Sequence, residues 1–215
     1  MRQKDPSAYD QAMRCLAVIT LLILALTLVQ PVAAQSFKPD RKAGWDAYHK
    51  RDDATALKHW STLATQGDVR ARSHLAFMYS QGNGVVQDFA KAAFWYRKVA
   101  EQGYRDEQFR LGSMYYSGRG VPKAYHQALD WYRKAGNSGQ PQAQQHLGRM
   151  YREGHGVLQD LVMAYVWFSV AVTNGFSFAK KGRDKVLPRL NASERRLALK
   201  LSKLCLKKPA KCPGV

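Results

Sequence analysis

Six histidines and three cysteines are the side chains of this 215-residue sequence best suited to chemistry. Imidazoles serve as metal ligands or proton-transfer groups, and thiols as nucleophiles, ligands or disulfide partners. Their spacing supports little of this. His49, His59 and His126 stand alone, His155 lies between two glycines, and His74 and His146 are far apart in the chain. There is no G-x-S-x-G elbow, P-loop lysine motif, H-E-x-x-H or C-x-x-C. No catalytic residue, metal or cofactor is therefore assigned, and a non-enzymatic protein is expected.

Charge says more. Lys and Arg number 34 against 16 Asp and Glu, a net charge of +18. Such an excess favours acidic partners: a protein face, anionic lipid, lipopolysaccharide or nucleic acid. With 46% hydrophobic residues the chain has material for a core and does not read as disordered.

The amino terminus reads as a secretory signal. Arg2, Lys4 and Arg14 precede a 15-residue apolar run from Cys15 to Val29, and Val32-Ala33-Ala34 offers a small-residue exit. Cleavage is expected after Ala34, giving a periplasmic or secreted protein. The alternative is an inner-membrane anchor formed by residues 15–34, although 15 helical residues rise only about 22 Å against a hydrocarbon layer of about 30 Å. Export makes nucleic acid the weakest partner class, since no binding motif accompanies it.

A repeat dominates the remainder. Three blocks align at a spacing of 36 residues, about 71–106, 107–142 and 143–178, with nine positions identical in all three. Among them are Leu75, Leu111 and Leu147; Gly84, Gly120 and Gly156; Ala92, Ala128 and Ala164; and Trp95, Trp131 and Trp167. A degenerate copy at 43–68 contributes Trp45, Ala56, Trp60 and Gly67, if one residue is deleted before the last glycine. Each block reads as two helices. Ala71, Leu75, Met78 and Tyr79 share one face of the first, which a glycine ends. Asp88 caps the second, whose face carries Ala92, Trp95, Tyr96 and Ala100. Ala124 stands where the middle copy should have its capping Asp. The tryptophans are expected to fill the layer between hairpins, and since one hairpin cannot bury its apolar face, the copies must stack.

The pattern A-x3-L-x3-Y-x2-G-x-G-V-x2-D-x3-A-x2-WY-x-K, read from Ala71 to Lys98, resembles the Sel-1-like repeat, a relative of the tetratricopeptide repeat. The resemblance covers residues 43–179. It implies an all-α, right-handed solenoid of helical hairpins that serves as an adaptor or scaffold for other proteins, here of the cell envelope. By loose analogy alone it also admits a hydrolase of cell-wall or lactam substrates. In solenoids of this kind the outer positions of each first helix line a concave surface. Here those positions hold Arg70, Ser73, Phe77 and Ser80; Asp106, Phe109, Ser113 and Tyr116; and Gln142, Gln145, Arg149 and Arg152. Phe77, Phe109 and Tyr116 are expected to anchor a protein partner, with Arg149 and Arg152 pairing a carboxylate.

Residues 180–215 carry 12 Lys or Arg and two acids. Asn191 with Glu194 forms a capping box, after which Leu197, Ala198, Leu201, Leu204 and Cys205 share a face. This segment is expected to cap the solenoid, its lysines keeping the end soluble. Residues 180–211 offer the alternative of peripheral binding to anionic membrane or lipopolysaccharide. In an oxidising compartment Cys205 and Cys212 are expected to form a disulfide.

Overall fold

The computed structural model describes residues 37–208 and Cys212. The expected signal, its cleavage after Ala34 and the alternative anchor at 15–34 lie outside the described residues. The helices below belong to one unit, which begins at Pro39. Among the described residues there is no strand, and no helix is long and apolar enough to cross a membrane.

Four helical hairpins follow one another. They are α1 (Arg41–His49) with α2 (Asp53–Thr65), α3 (Val69–Gln81) with α4 (Phe89–Ala100), α5 (Arg105–Ser117) with α6 (Tyr125–Asn137), and α7 (Pro141–Glu153) with α8 (Leu161–Thr173). Then come α9 (Ala179–Val186), a 3₁₀ turn (Leu187–Arg189) and α10 (Ala192–Lys207). Each hairpin packs on the next, giving an all-α helical-hairpin solenoid.

Local chemistry sets the helix ends. The Asp88 carboxylate accepts from the Lys91 amide at 2.9 Å and Asp160 from Met163 at 2.9 Å, whereas Ala124 leaves α6 without a side-chain cap. Gly118 closes α5 in the left-handed region. The second glycine of the turn has a different task. Gly120, at φ +70°, lies against the start of α4, where an added Cβ would come 2.1 Å from the Phe89 carbonyl oxygen. Gly84 and Gly156 meet Asp53 and Tyr125 in the same way, one repeat earlier and later. The Gly-x-Gly pair therefore ends a helix and docks the turn on the preceding hairpin.

A second seam device recurs at the same spacing. Arg72 Nε donates to the Ala64 carbonyl (2.9 Å), Gln108 Nε2 to Ala100 (3.1 Å) and Gln144 Nε2 to Gly136 (2.8 Å). Each adds a side-chain donor to a carbonyl at the end of a second helix, which otherwise accepts from the turn backbone, Gly67, Gly103 and Gly139 among its donors.

The core departs from expectation in three places. Trp95 and Trp131 are only partly buried, and Tyr96 and Tyr132 fill the layer in their stead. Of the aligned tryptophans only Trp167 is fully buried, because α9 and α10 cover α8 where Trp95 and Trp131 face an open edge. Trp60, 1% exposed, occupies the place of Tyr96 rather than of Trp95; Ala56, Trp60 and Ala64 match Ala92, Tyr96 and Ala100 at 36 residues, so no deletion is needed. On α10 the buried residues are Ala198, Ser202 and Cys205, while Leu197 and Leu204 remain exposed. The capping box of Asn191 and Glu194 is present, and Cys205 is joined to the buried Cys212 by a disulfide.

Candidate partner-binding face

One position of the first helices recurs against one ring of the preceding hairpin. His74 stacks on Trp60 (ring centroids 4.4 Å apart), the Arg110 guanidinium lies over Tyr96 (5.7 Å), and His146 stacks on Tyr132 (4.9 Å). The fourth member is Gly182 on α9, so close to Phe168 that a Cβ would meet its ring at 2.6 Å. Residues 74, 110, 146 and 182 are 36 apart, which makes α9 the first helix of a fifth, unfinished repeat.

Between α5 and α7 the face is filled by aromatic side chains. Phe109 and Tyr116 both reach His146, at 5.7 and 6.1 Å. The Tyr116 hydroxyl shares a 3.0 Å hydrogen bond with His155 Nδ1, and His155 stacks on Tyr125 at 4.6 Å. Tyr132 donates its hydroxyl proton to Ser113 Oγ (3.0 Å), and the Arg149 guanidinium lies 5.5 Å from the Tyr116 ring. Burial, reinforced by Arg149, pushes the His146 pKa down to about 4, and burial pushes the Tyr132 phenol up to about 12. His146 is thus a neutral stacking element with its Nδ1 unbonded. Among the described residues no three His, Cys, Asp or Glu side chains gather as a metal site would require.

Recesses open along the first helices on either side of this cluster. Arg70, His74 and Trp45 border one of about 550 Å³ between α1 and α3. Another, about 230 Å³, runs between Ser80 on α3 and Phe109 and Ser113 on α5. A third, about 260 Å³, lies between α7 and α9, walled by Gln145, Arg149 and Arg152 on one side and Phe178, Lys181 and Lys185 on the other.

The residues expected to bind a partner divide accordingly. Arg70 lies exposed at the first recess; Gln145, Arg149 and Arg152 share the third. Ser73 and Phe77 are partly buried on α3. Phe109 and Tyr116 are packed into the core's edge, and Ser113 is engaged by Tyr132 and by the Phe109 carbonyl, so these three shape the face from within. Asp106 accepts from Gln140 Nε2 at 2.9 Å. Arg152 is paired with Glu153 at 2.6 Å. Sequence reasoning missed Phe178, Lys181 and Lys185, although carrying the 36-residue register once more from Gln142, Gln145 and Arg149 reaches them.

The chain belongs to the Sel1 repeat family, whose model matches residues 44–68, 69–104, 108–140 and 141–176, more than half of the sequence. Proteins of this family generally mediate protein–protein interaction. Among solved structures, the chain is similar to a protective antigen present in uropathogenic Escherichia coli strains and displaying an SLR fold. That likeness has 32% identity and a TM-score of 0.68 over 77% of this chain and 37% of the antigen. A Sel1 repeat protein from Oxalobacter formigenes matches with 31% identity and a TM-score of 0.61, over 65% of this chain and 58% of its own. The chain therefore spans less than two thirds of either relative. A search of curated proteins found no match.

Proposed function

We propose that this protein is a non-enzymatic adaptor of the cell envelope, exported by its amino-terminal signal, that binds a protein partner along the concave face formed by its first helices. The observation that carries this reading is the run of recesses along α1, α3, α5, α7 and α9, bordered by Arg70 and Arg149 and floored by aromatic rings. Packing positions repeat between hairpins while the outer positions differ, as expected of a surface that reads a partner. The test is in-cell crosslinking and pull-down with the wild type and an Arg70→Glu, Phe77→Ala, Arg149→Glu variant. One protein captured by the wild type and lost by the variant supports the adaptor; undiminished capture by the variant refutes it.

A second reading draws on α10, where Leu197, Leu199 and Leu204 stand exposed among lysines. Such a face suits peripheral binding to anionic lipid or lipopolysaccharide. Salt-sensitive binding to anionic liposomes that is abolished by deleting residues 192–211 would favour it.

A further inference from the structure

The recess between α7 and α9 is built from two facing rows of groups. Gln145 and Arg149 come from α7, and Lys181 and Lys185 stand in the same register on α9, with Phe178 at the mouth. Among the described residues no ion pair reaches Arg149, Lys181 or Lys185. The acids of these two helices are engaged by neighbours, Glu153 by Arg152 and Asp184 by Arg183 (2.9 Å). Lys181 and Lys185 lie four apart on one short helix, where like charges oppose helix formation. Phe178 is 77% exposed beside them, its ring meeting Phe176 on one side (centroids 5.5 Å apart) and leaving the rest open. Three uncompensated cations and an open ring around one cavity form a site that anionic groups would complete.

We propose that this recess binds the carboxylates of an acidic segment of the partner protein, with an apolar side chain of that segment against Phe178. The proposal rests on reading the first-helix face as the partner-binding face. The planar guanidinium of Arg149 suits a carboxylate fork, the two ammonium groups meet further carboxylates without fixed geometry, and Gln145 can donate its amide. A peptide suits the site better than a membrane does. The cations face one another across a recess of about 260 Å³ instead of lying on one outward plane, and a single extended chain enters such a space.

The test uses the mature chain and a dye-labelled hexaglutamate peptide, read by fluorescence anisotropy at about 0.15 M salt, where fields from distant charges are screened beyond about 8 Å. Lys181→Glu with Lys185→Glu is compared with Lys200→Glu and Lys203→Glu, a pair on α10 outside the recess that changes net charge equally. All four lysines are exposed, so both variants should fold, and Lys181→Gln with Lys185→Gln supplies a milder version. At least a tenfold loss of affinity in the recess pair is expected, against less than threefold in the α10 pair and an intermediate loss in the glutamine pair. Equal losses in both charge-reversed pairs would overturn the proposal, leaving only the general field of a basic protein. So would unchanged peptide binding in the recess pair, including the case where that pair instead loses binding to phosphatidylglycerol vesicles. Should the peptide be indifferent to Lys181 and Lys185 while the pull-down variant still loses its partner, the adaptor reading stands and this one fails.

Discussion

The imidazole of His146 on α7 lies nearly parallel to the phenol ring of Tyr132 on α6, at 24° and with centroids 4.9 Å apart. This pair closes the seam between two hairpins at the position that His74 and Trp60 occupy at an earlier seam. The partial burial of the histidine in this stack, with Arg149 nearby, favours its neutral form.

Acid should therefore weaken the fold through these histidines. His146 titrates near 4 when folded and near 6.5 when free, so between those values the unfolded chain binds the extra proton. Stability is full above pH 6.5, falls as pH drops toward 4, and levels off below. His74, lowered mainly by burial, acts in the same direction. By pH 5 the His146 contribution is a loss of about 2 kcal/mol. Urea unfolding at pH 7 and pH 5 should show a drop that His146→Phe, which keeps a stacking ring, reduces by about that amount. Parallel losses in wild type and variant would contradict the assignment.

Two glycines in the same left-handed region should respond unequally to alanine. At Gly103 (φ +93°) an added methyl meets nothing within 4 Å, so the cost is conformational, about 1 kcal/mol. At Gly120 (φ +70°) it would also drive into the Phe89 carbonyl, and the turn would have to lift off α4. The sum of strain and overpacking is about 3 kcal/mol. Denaturant midpoints of Gly120→Ala and Gly103→Ala decide the matter, and equal shifts would mean that the second glycine of the turn serves conformation alone.

What the sequence disclosed and what it concealed follow the range of the interactions. Gly118 as a helix stop, Asp88 as a cap and Ala124 as a missing one depend on a few neighbouring residues, and all could be read directly. In Trp95-Tyr96 and Trp131-Tyr132, adjacent aromatic residues compete for one buried place. The winner is set by where the next hairpin passes, which local periodicity does not encode. The same competition hid the true alignment of Trp60. Phe109, Ser113 and Tyr116 lie on the outer face by periodicity, yet their side chains bend into the seam because His146 and Tyr132 from other helices offer them partners. Lys181 and Lys185 were legible in principle, but the basic composition of residues 180–215 drew attention to a tail where the register continued.

Three aromatic sites make that competition measurable. Trp167→Ala removes a side chain 2% exposed beneath α9 and α10, with an expected cost of 3–5 kcal/mol, roughly the range for a buried aromatic residue. Trp131→Ala truncates a partly buried ring that Lys134 covers at 4.2 Å, and should cost less than about 2 kcal/mol. Tyr132→Ala, by contrast, should behave like Trp167→Ala, since Tyr132 is fully buried. Calorimetric unfolding of the three variants tests the order. A Trp131→Ala loss as large as that of Tyr132→Ala would place the tryptophan in the core after all.

The carboxyl-terminal disulfide ties the end of α10 to the segment that follows it, and its loss should act on the packing of that end first. Cys205 is buried on α10 and Cys212 is buried with it, both within the core cluster that includes Trp167, Val186 and Ala198. Their loop is short, so the chain-entropy contribution is about 2.5 kcal/mol. Because α10 packs chiefly on α8, losing the cross-link should free α10 before the hairpins further from it. Cys205→Ser with Cys212→Ser should thus raise amide hydrogen exchange along residues 192–207 while leaving α3 to α6 as protected as in the wild type. Uniformly faster exchange across the chain would show instead that the repeats and their cap unfold as one cooperative unit, and that the disulfide stabilises the whole array.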